Sequence, residues 1–174
     1  MRKIVKTSQL VLAGAAVALS GPVAGCQSQS GPSGPSNAVP NTTHTAMAID
    51  ACSMLSPQDI SGVLGVTVPG KSTNKDPEMG NCAWENPTTE ESVSVEIGNP
   101  GTARNNTLPA PEAGFPDPTT PGPDGMRLMG GGQVEFAAGN RSNTVQVAML
   151  KLSPDQANSA AVDLARKITP KVPQ

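Results

Sequence analysis

The chain has 174 residues, of which 36% are hydrophobic and only 2% aromatic, with 18 Gly, 18 Pro and a formal net charge of -2. This composition fits one domain of roughly 110 to 120 residues plus a tail, with a small core of Val, Leu, Ile, Met and Ala, because Trp84, Phe115 and Phe136 are the only aromatics. Arg2, Lys3 and Lys6 are the only charged residues before Cys26, so the chain from Cys26 onward carries nine basic against 14 acidic groups, a net of -5, which excludes an electrostatic footprint for nucleic acid and leaves little attraction for anionic lipid headgroups.

Residues 1–25 read as an export signal. "MRKIVK" is basic, "LVLAGAAVAL" (Leu10 to Leu19) is an apolar stretch, "SGP" breaks it, and "VAG" puts small residues before Cys26. The apolar run is too short to span a bilayer, which takes about 20 residues. Val23-Ala24-Gly25-Cys26 resembles a bacterial lipobox. That resemblance implies that Cys26 becomes the mature N-terminus, diacylglycerylated on sulfur and acylated on its amino group. The chain would then be lipid-anchored on the extracytoplasmic face of the cell membrane. Each buried methylene adds about 0.8 kcal/mol, and stable anchoring takes two or more acyl chains. The alternative is an ordinary secretory signal with an incidental cysteine.

Residues 26–48 are rich in Ser, Gly, Pro, Asn and Thr and nearly free of bulky apolar side chains, as expected for a disordered tether. His44, the only histidine, lies here and reads as solvated rather than as a metal ligand. Thr42, Thr43 and Thr45 are candidate O-glycosylation acceptors.

Residues 49–170 read as a single α+β domain. Ser56-Pro57-Gln58-Asp59 and Ser153-Pro154-Asp155-Gln156 are two near-copies of one helix start: a Ser cap, Pro at the first helical position, and an acid or amide three residues after the cap. The first helix carries Ile60, Val63 and Leu64 and stops at Gly65. The second places Ala157, Ala160, Ala161, Leu164 and Ile168 on one stripe and ends before Pro170. Between them, "NCAWEN", "SVSVEIG", "QVEFAAG" and "NTVQVAMLKL" alternate as strands with one buried face, with "NPTTEE" and "GNRSN" as hairpin-type loops. The expected fold is an antiparallel sheet of about four or five strands, with the N- and C-terminal helices packed on one face.

Asn99 to Gly125 holds seven Pro and four Gly and is expected to be neither strand nor helix interior. A loop of this length is usually functional or disordered. Phe115 is its only aromatic: either a recognition anchor or a ring tucked back onto the domain. "GMRLMGGGQVEF" leads into a strand rather than a helix, so it lacks the helix terminus that cradles phosphate, and reads as a turn. Glu90-Glu91 reads as a solvated tip. No Gly-x-Ser-x-Gly elbow and no His-Glu-x-x-His occurs, and a lone His in a tether cannot serve a Ser or Cys triad. No catalytic residue, metal site or cofactor is therefore assigned.

Export places Cys52 and Cys82 outside the reducing cytoplasm, where a cysteine pair most often forms a disulfide. The bridge would staple the helix entry to the sheet edge. Metal binding would need more ligands, and a catalytic thiol would need a base that the chain lacks.

"DACSMLSPQDISGVLG", followed some thirty residues on by "CAW", resembles the opening of a domain-of-unknown-function family of small actinobacterial, mycobacterial-type envelope lipoproteins. The similarity spans roughly Asp50 to Ile168. Relatives carry further cysteines in the later strands, which this chain lacks. The resemblance implies location and architecture, and no activity. The functional expectation is a non-enzymatic envelope domain that binds a protein partner or a small envelope ligand, with the loop around Phe115 as its surface. A carrier of lipid or glycolipid in a small apolar cavity, and an enzyme using carboxylates or Ser, are the alternatives.

Overall fold

The computed structural model describes residues 48–174. The export signal, Cys26, His44 and the tether up to residue 47 lie outside the described residues. Asp50 opens the domain by accepting the backbone N–H groups of Cys52 and Ser53 on Oδ1, at 3.1 and 3.3 Å. This caps a 3-10 turn over Ala51–Met54. The first helix, α1 (Pro57–Leu64), starts on the capping box expected from its Ser-Pro-Gln-Asp string. Asp59 N–H donates to Ser56 Oγ at 3.2 Å, and Ser56 N–H donates to the Asp59 carboxylate at 2.9 Å. Gly65 ends it at φ 71°, where a side chain would be strained.

Two strands come next, β1 (Gly80–Glu85) and β2 (Ser92–Ile97), as an antiparallel hairpin. Past the Pro-rich connection come β3 (Thr120–Pro121), β4 (Arg127–Gly130), β5 (Gln133–Ala138) and β6 (Arg141–Ala148). These four form an antiparallel meander whose last strand pairs with β2, so the sheet order is β1-β2-β6-β5-β4-β3. The sheet has six strands, against the four or five expected from sequence. The two additions have physical reasons. Pro121 is tolerated because β3 is an edge strand, whose outward N–H position needs no partner. Arg127–Gly130, read as a turn, is strand because only Gly130, Gly131 and Gly132 take positive φ. The turn is Gly131 and Gly132, with Gly130 closing β4. "GNRSN" likewise shrinks to a two-residue turn: Gly139 and Asn140 have φ 61° and 57°, and β6 begins at Arg141. Positive φ at both positions is the requirement of the tightest hairpin class.

The inner face is built in transverse rows. One runs Cys82–Val95–Val145–Val134–Leu128 across five strands, and another runs Trp84–Val93–Val147. The second helix, α2 (Pro154–Ile168), lies over β6, β5 and β4, while α1 and the 3-10 turn before it lie over β1 and β2. Ala157, Ala161 and Ala165 on the buried stripe of α2 let its backbone come close to the sheet. At its start a Cβ on Gly132 would meet Ala157 Cβ at 2.9 Å and Val147 O at 2.3 Å. Val172 is also buried, so the packed chain runs past residue 170.

Cys52 and Cys82 are bridged, with Cα atoms 5.0 Å apart and a sequence separation of 30. β1 is a sheet edge, so the bridge joins the helix entry to that edge, as the sequence suggests. Residues 66–79 then fold along β1. Lys71 and Ala83 exchange backbone hydrogen bonds of 2.8 and 2.9 Å, and Gly70 sits where a Cβ would be 2.5 Å from Cys82 Sγ and 2.7 Å from Trp84 Nε1.

The helices are tied to each other at their polar margin. Lys167 Nζ donates to Asp59 Oδ1, and Lys171 Nζ donates to Met54 O at 2.7 Å. Lys167, then Ser56, holds the Asp59 carboxyl at a pKa of about 2, below its ordinary 3.8.

Replacing both Cys52 and Cys82 by Ala is expected to lower unfolding free energy by about 3 to 4 kcal/mol, the chain-entropy value for a loop of this length, as measured by urea denaturation. The Asp59 contribution has the opposite chemistry. Its folded pKa is depressed, so its stabilisation is complete above about pH 4 and disappears as pH falls toward 2. Because Lys167 is 52% exposed, solvent screening reduces this to about 1 kcal/mol. Asp59→Asn should lose that amount at pH 7 and flatten the stability curve between pH 4 and 2.

Candidate interaction surface

β2 lies four strand spacings from β3, across β6, β5 and β4. At about 4.8 Å per strand spacing the connection must cover about 19 Å, which is why a long segment joins them. Its Pro content keeps that segment extended rather than folded into a competing element. The first third is pinned to the β5–β6 hairpin. Gly98 N–H donates to Asn143 Oδ1 at 3.3 Å, and Gly98 O accepts from Arg141 Nη1 at 2.7 Å. Gly101 and Ala103 N–H groups both donate to Asn140 O, at 2.9 and 3.1 Å. Asn140 N–H donates to Asn106 Oδ1 at 2.7 Å, and Ser142 N–H donates to Thr102 Oγ1 at 2.9 Å. Farther along, Arg127 Nη2 donates to Pro109 O. Thr119 donates its hydroxyl and its N–H to Asp117 Oδ1 at 2.7 and 2.9 Å, which lowers the Asp117 pKa.

Between these holds stands Phe115, at 68% exposure. The reading in which its ring tucks back onto the domain is thereby corrected. Phe115 N–H donates to Glu112 O at 3.3 Å, closing a turn with Gly114 at φ 90°. Its immediate neighbours are Gly114, Pro116 and Asp117.

The residues that organise this loop are not among those the sequence singles out. Asn143 is fully buried at the start of β6, on the apolar face. Its Nδ2 faces the carbonyls of Arg141, Ala138 and Phe136 at 3.0, 3.2 and 3.4 Å. Arg141, also buried, donates from Nη1 to Glu78 O at 2.5 Å as well as to Gly98 O, while its Nε has no partner among the described residues. A signal was present: period-2 alternation carried two and four positions upstream of Val145 puts Asn143 and Arg141 on the inner face.

Glu91 differs from the expectation of a solvated tip. Glu90 is exposed at φ 61°, but Glu91 is 5% exposed. It accepts from Thr89 Oγ1 at 3.0 Å and pairs with Lys151 Nζ at 3.8 Å. It braces the β1–β2 turn against the segment that leads into α2. Among the described residues no three His, Cys, Asp or Glu side chains converge as a metal site, and no helix is long and apolar enough to cross a membrane.

Beside α2, Pro123, Leu128, Asn158, Val162 and Arg166 line a recess of about 350 Å³. Arg166 Nε donates to Asp124 Oδ2 at 2.8 Å across its end, and Asp124 raises the Arg166 pKa. The recess is open and of mixed polarity. A scan of the chain against protein-family models matches none, and searches of curated proteins and of solved structures also find no match.

Asn143→Ala removes four hydrogen-bonding relationships at one buried point. It is expected to cost about 2 to 3 kcal/mol and to speed amide exchange at Gly98, Gly101 and Ala103 more than at the centre of β6. Hydrogen-exchange NMR measures both effects.

Proposed function

We propose that the chain is a lipid-anchored, non-enzymatic domain of the bacterial cell envelope, of the mycobacterial type that its opening motifs resemble, which engages an envelope protein through the Pro-rich loop around Phe115. The observation that carries this reading is an aromatic ring at 68% exposure on a loop fixed at both ends. Aromatic side chains dominate the energetics of protein interfaces, and a loop already ordered loses little further entropy on binding. The anchor rests on Val23-Ala24-Gly25-Cys26 and on the acidic balance after it, which offers no electrostatic route to an anionic membrane. The bridge between Cys52 and Cys82 accords with an oxidising compartment.

Crosslinking of the chain in its own envelope, followed by mass spectrometry, tests both halves. Cys26→Ala should shift the protein from the membrane fraction to a soluble or unprocessed form; unchanged fractionation and mass defeat the anchor. Phe115→Ala should weaken partner capture by about 2 kcal/mol, roughly thirtyfold, with no change in melting temperature. Equal capture by both chains defeats the loop as the interface.

A further inference from the structure

The face of the sheet opposite the helices carries a cleft of about 380 Å³, within the roughly 300–1,000 Å³ range of small-molecule sites. Its floor is two registered rows of mostly polar side chains. One row is Ala83–Ser94–Gln146–Gln133, and the next is Asn81–Glu96–Thr144. Its wall is the segment hooked over β1. The Lys71–Ala83 backbone pair fixes that segment, and Asn81 Oδ1 clasps it by accepting from Ser72 Oγ, Thr73 N–H and Asn74 N–H at 3.0, 3.0 and 3.1 Å.

Three features decide what such a cleft can hold. Among the described residues no aromatic side chain lines it, so it offers no platform for a nucleobase or other flat ring. Among the described residues Lys71 is the single cation in the lining and is outnumbered by Glu85 and Glu96, so phosphate, sulfate and carboxylate ligands are disfavoured. The third feature is a dense set of neutral donors and acceptors: two Gln amides, the Ser94 and Thr144 hydroxyls and the Thr73 hydroxyl, flanked by the two carboxylates. Each Gln both donates and accepts, and each carboxylate accepts up to two bonds. Vicinal hydroxyl groups, which also donate and accept, match that inventory. The site stands on strands, which hold side chains more rigidly than loops do.

We infer that the open face of the sheet binds a neutral, polyhydroxylated ligand, a sugar chain, in the cleft over Ser94, Gln133, Thr144 and Gln146. This site is separate from the Phe115 loop and does not depend on that loop's having a partner.

The test is NMR titration of the isotope-labelled full chain with maltotriose, cellotriose and mannotriose, with inorganic phosphate as the anionic comparison. At least one trisaccharide should shift the Ser94, Thr144 and Gln146 amides saturably, while phosphate leaves them in place. The double variant Gln133→Ala, Gln146→Ala should weaken that binding about tenfold, the loss of two or more hydrogen bonds. Its melting temperature should not change, because neither amide packs in the core. Saturable shifts from phosphate, no saturable shift from any of the three sugars, or equal affinity in the double variant would each overturn the inference.

Discussion

The antiparallel pairing of β2 with β6 holds the molecule together. Val93, Val95 and Ile97 face Val147, Val145 and Asn143 across the centre of the sheet. Without that pairing there would be two incomplete pieces: an N-terminal hairpin stapled to a short helix, and a four-stranded meander under α2. The hairpin is marginal in water on its own, and the meander would leave the β6 edge and its valine row open. The partners are far apart in the chain, so this contact bears the largest loop-closure entropy within the sheet. The Asp59–Lys167 ion pair and the Lys171 bond to Met54 O reinforce the same union from its flank, while the Cys52–Cys82 bridge holds the first piece together. Two of those three join the first helical segment to the last.

Asn143 gives this central seam a polar end. A buried amide among Val and Ile side chains is costly unless satisfied, and here it is bonded to four backbone groups. Those bonds hold when β2, β5 and β6 sit in one register. A slip of one residue would bury Ser142 and expose Asn143 with its bonds broken. The amide thus specifies alignment in a sheet whose valine rows would otherwise tolerate sliding. It also sets the departure point of the long crossover, through Gly98, so strand register and loop placement are decided at one residue.

Much of this architecture was legible in the chain. Ser-Pro-x-Asp and Ser-Pro-x-Gln mark both helix starts because capping is a local event, settled within four residues. The alternation of Val93, Val95 and Ile97 marks β2 for the same reason. Features that depend on distant contacts could not be read. Thr120–Pro121 is strand because β4 lies beside it, and nothing in its own composition says so. Gly70 is required by the approach of Cys82 and Trp84 from another element, at a backbone angle that any residue could adopt. Glu91 is buried because Lys151 arrives from sixty residues away. The cleft on the open face is a product of sheet order, which joins strands 80–85 and 133–138 through two others. The loop around Phe115 was visible as a feature, but the exposure of its ring is a property of the folded neighbourhood.

Trp84 is the only tryptophan, and the chain has no tyrosine. Its buried indole borders Gly70 together with the sulfur of Cys82. Disulfides quench nearby indole emission, so the folded, oxidised chain should be dim in the near ultraviolet. Opening the bridge relieves the quenching, and loss of packing shifts the emission to the red. One ring therefore reports two separate events, in intensity and in colour, with no competing chromophore. The scarcity of aromatics that keeps the core small gives the protein an intrinsic optical probe of its own redox state.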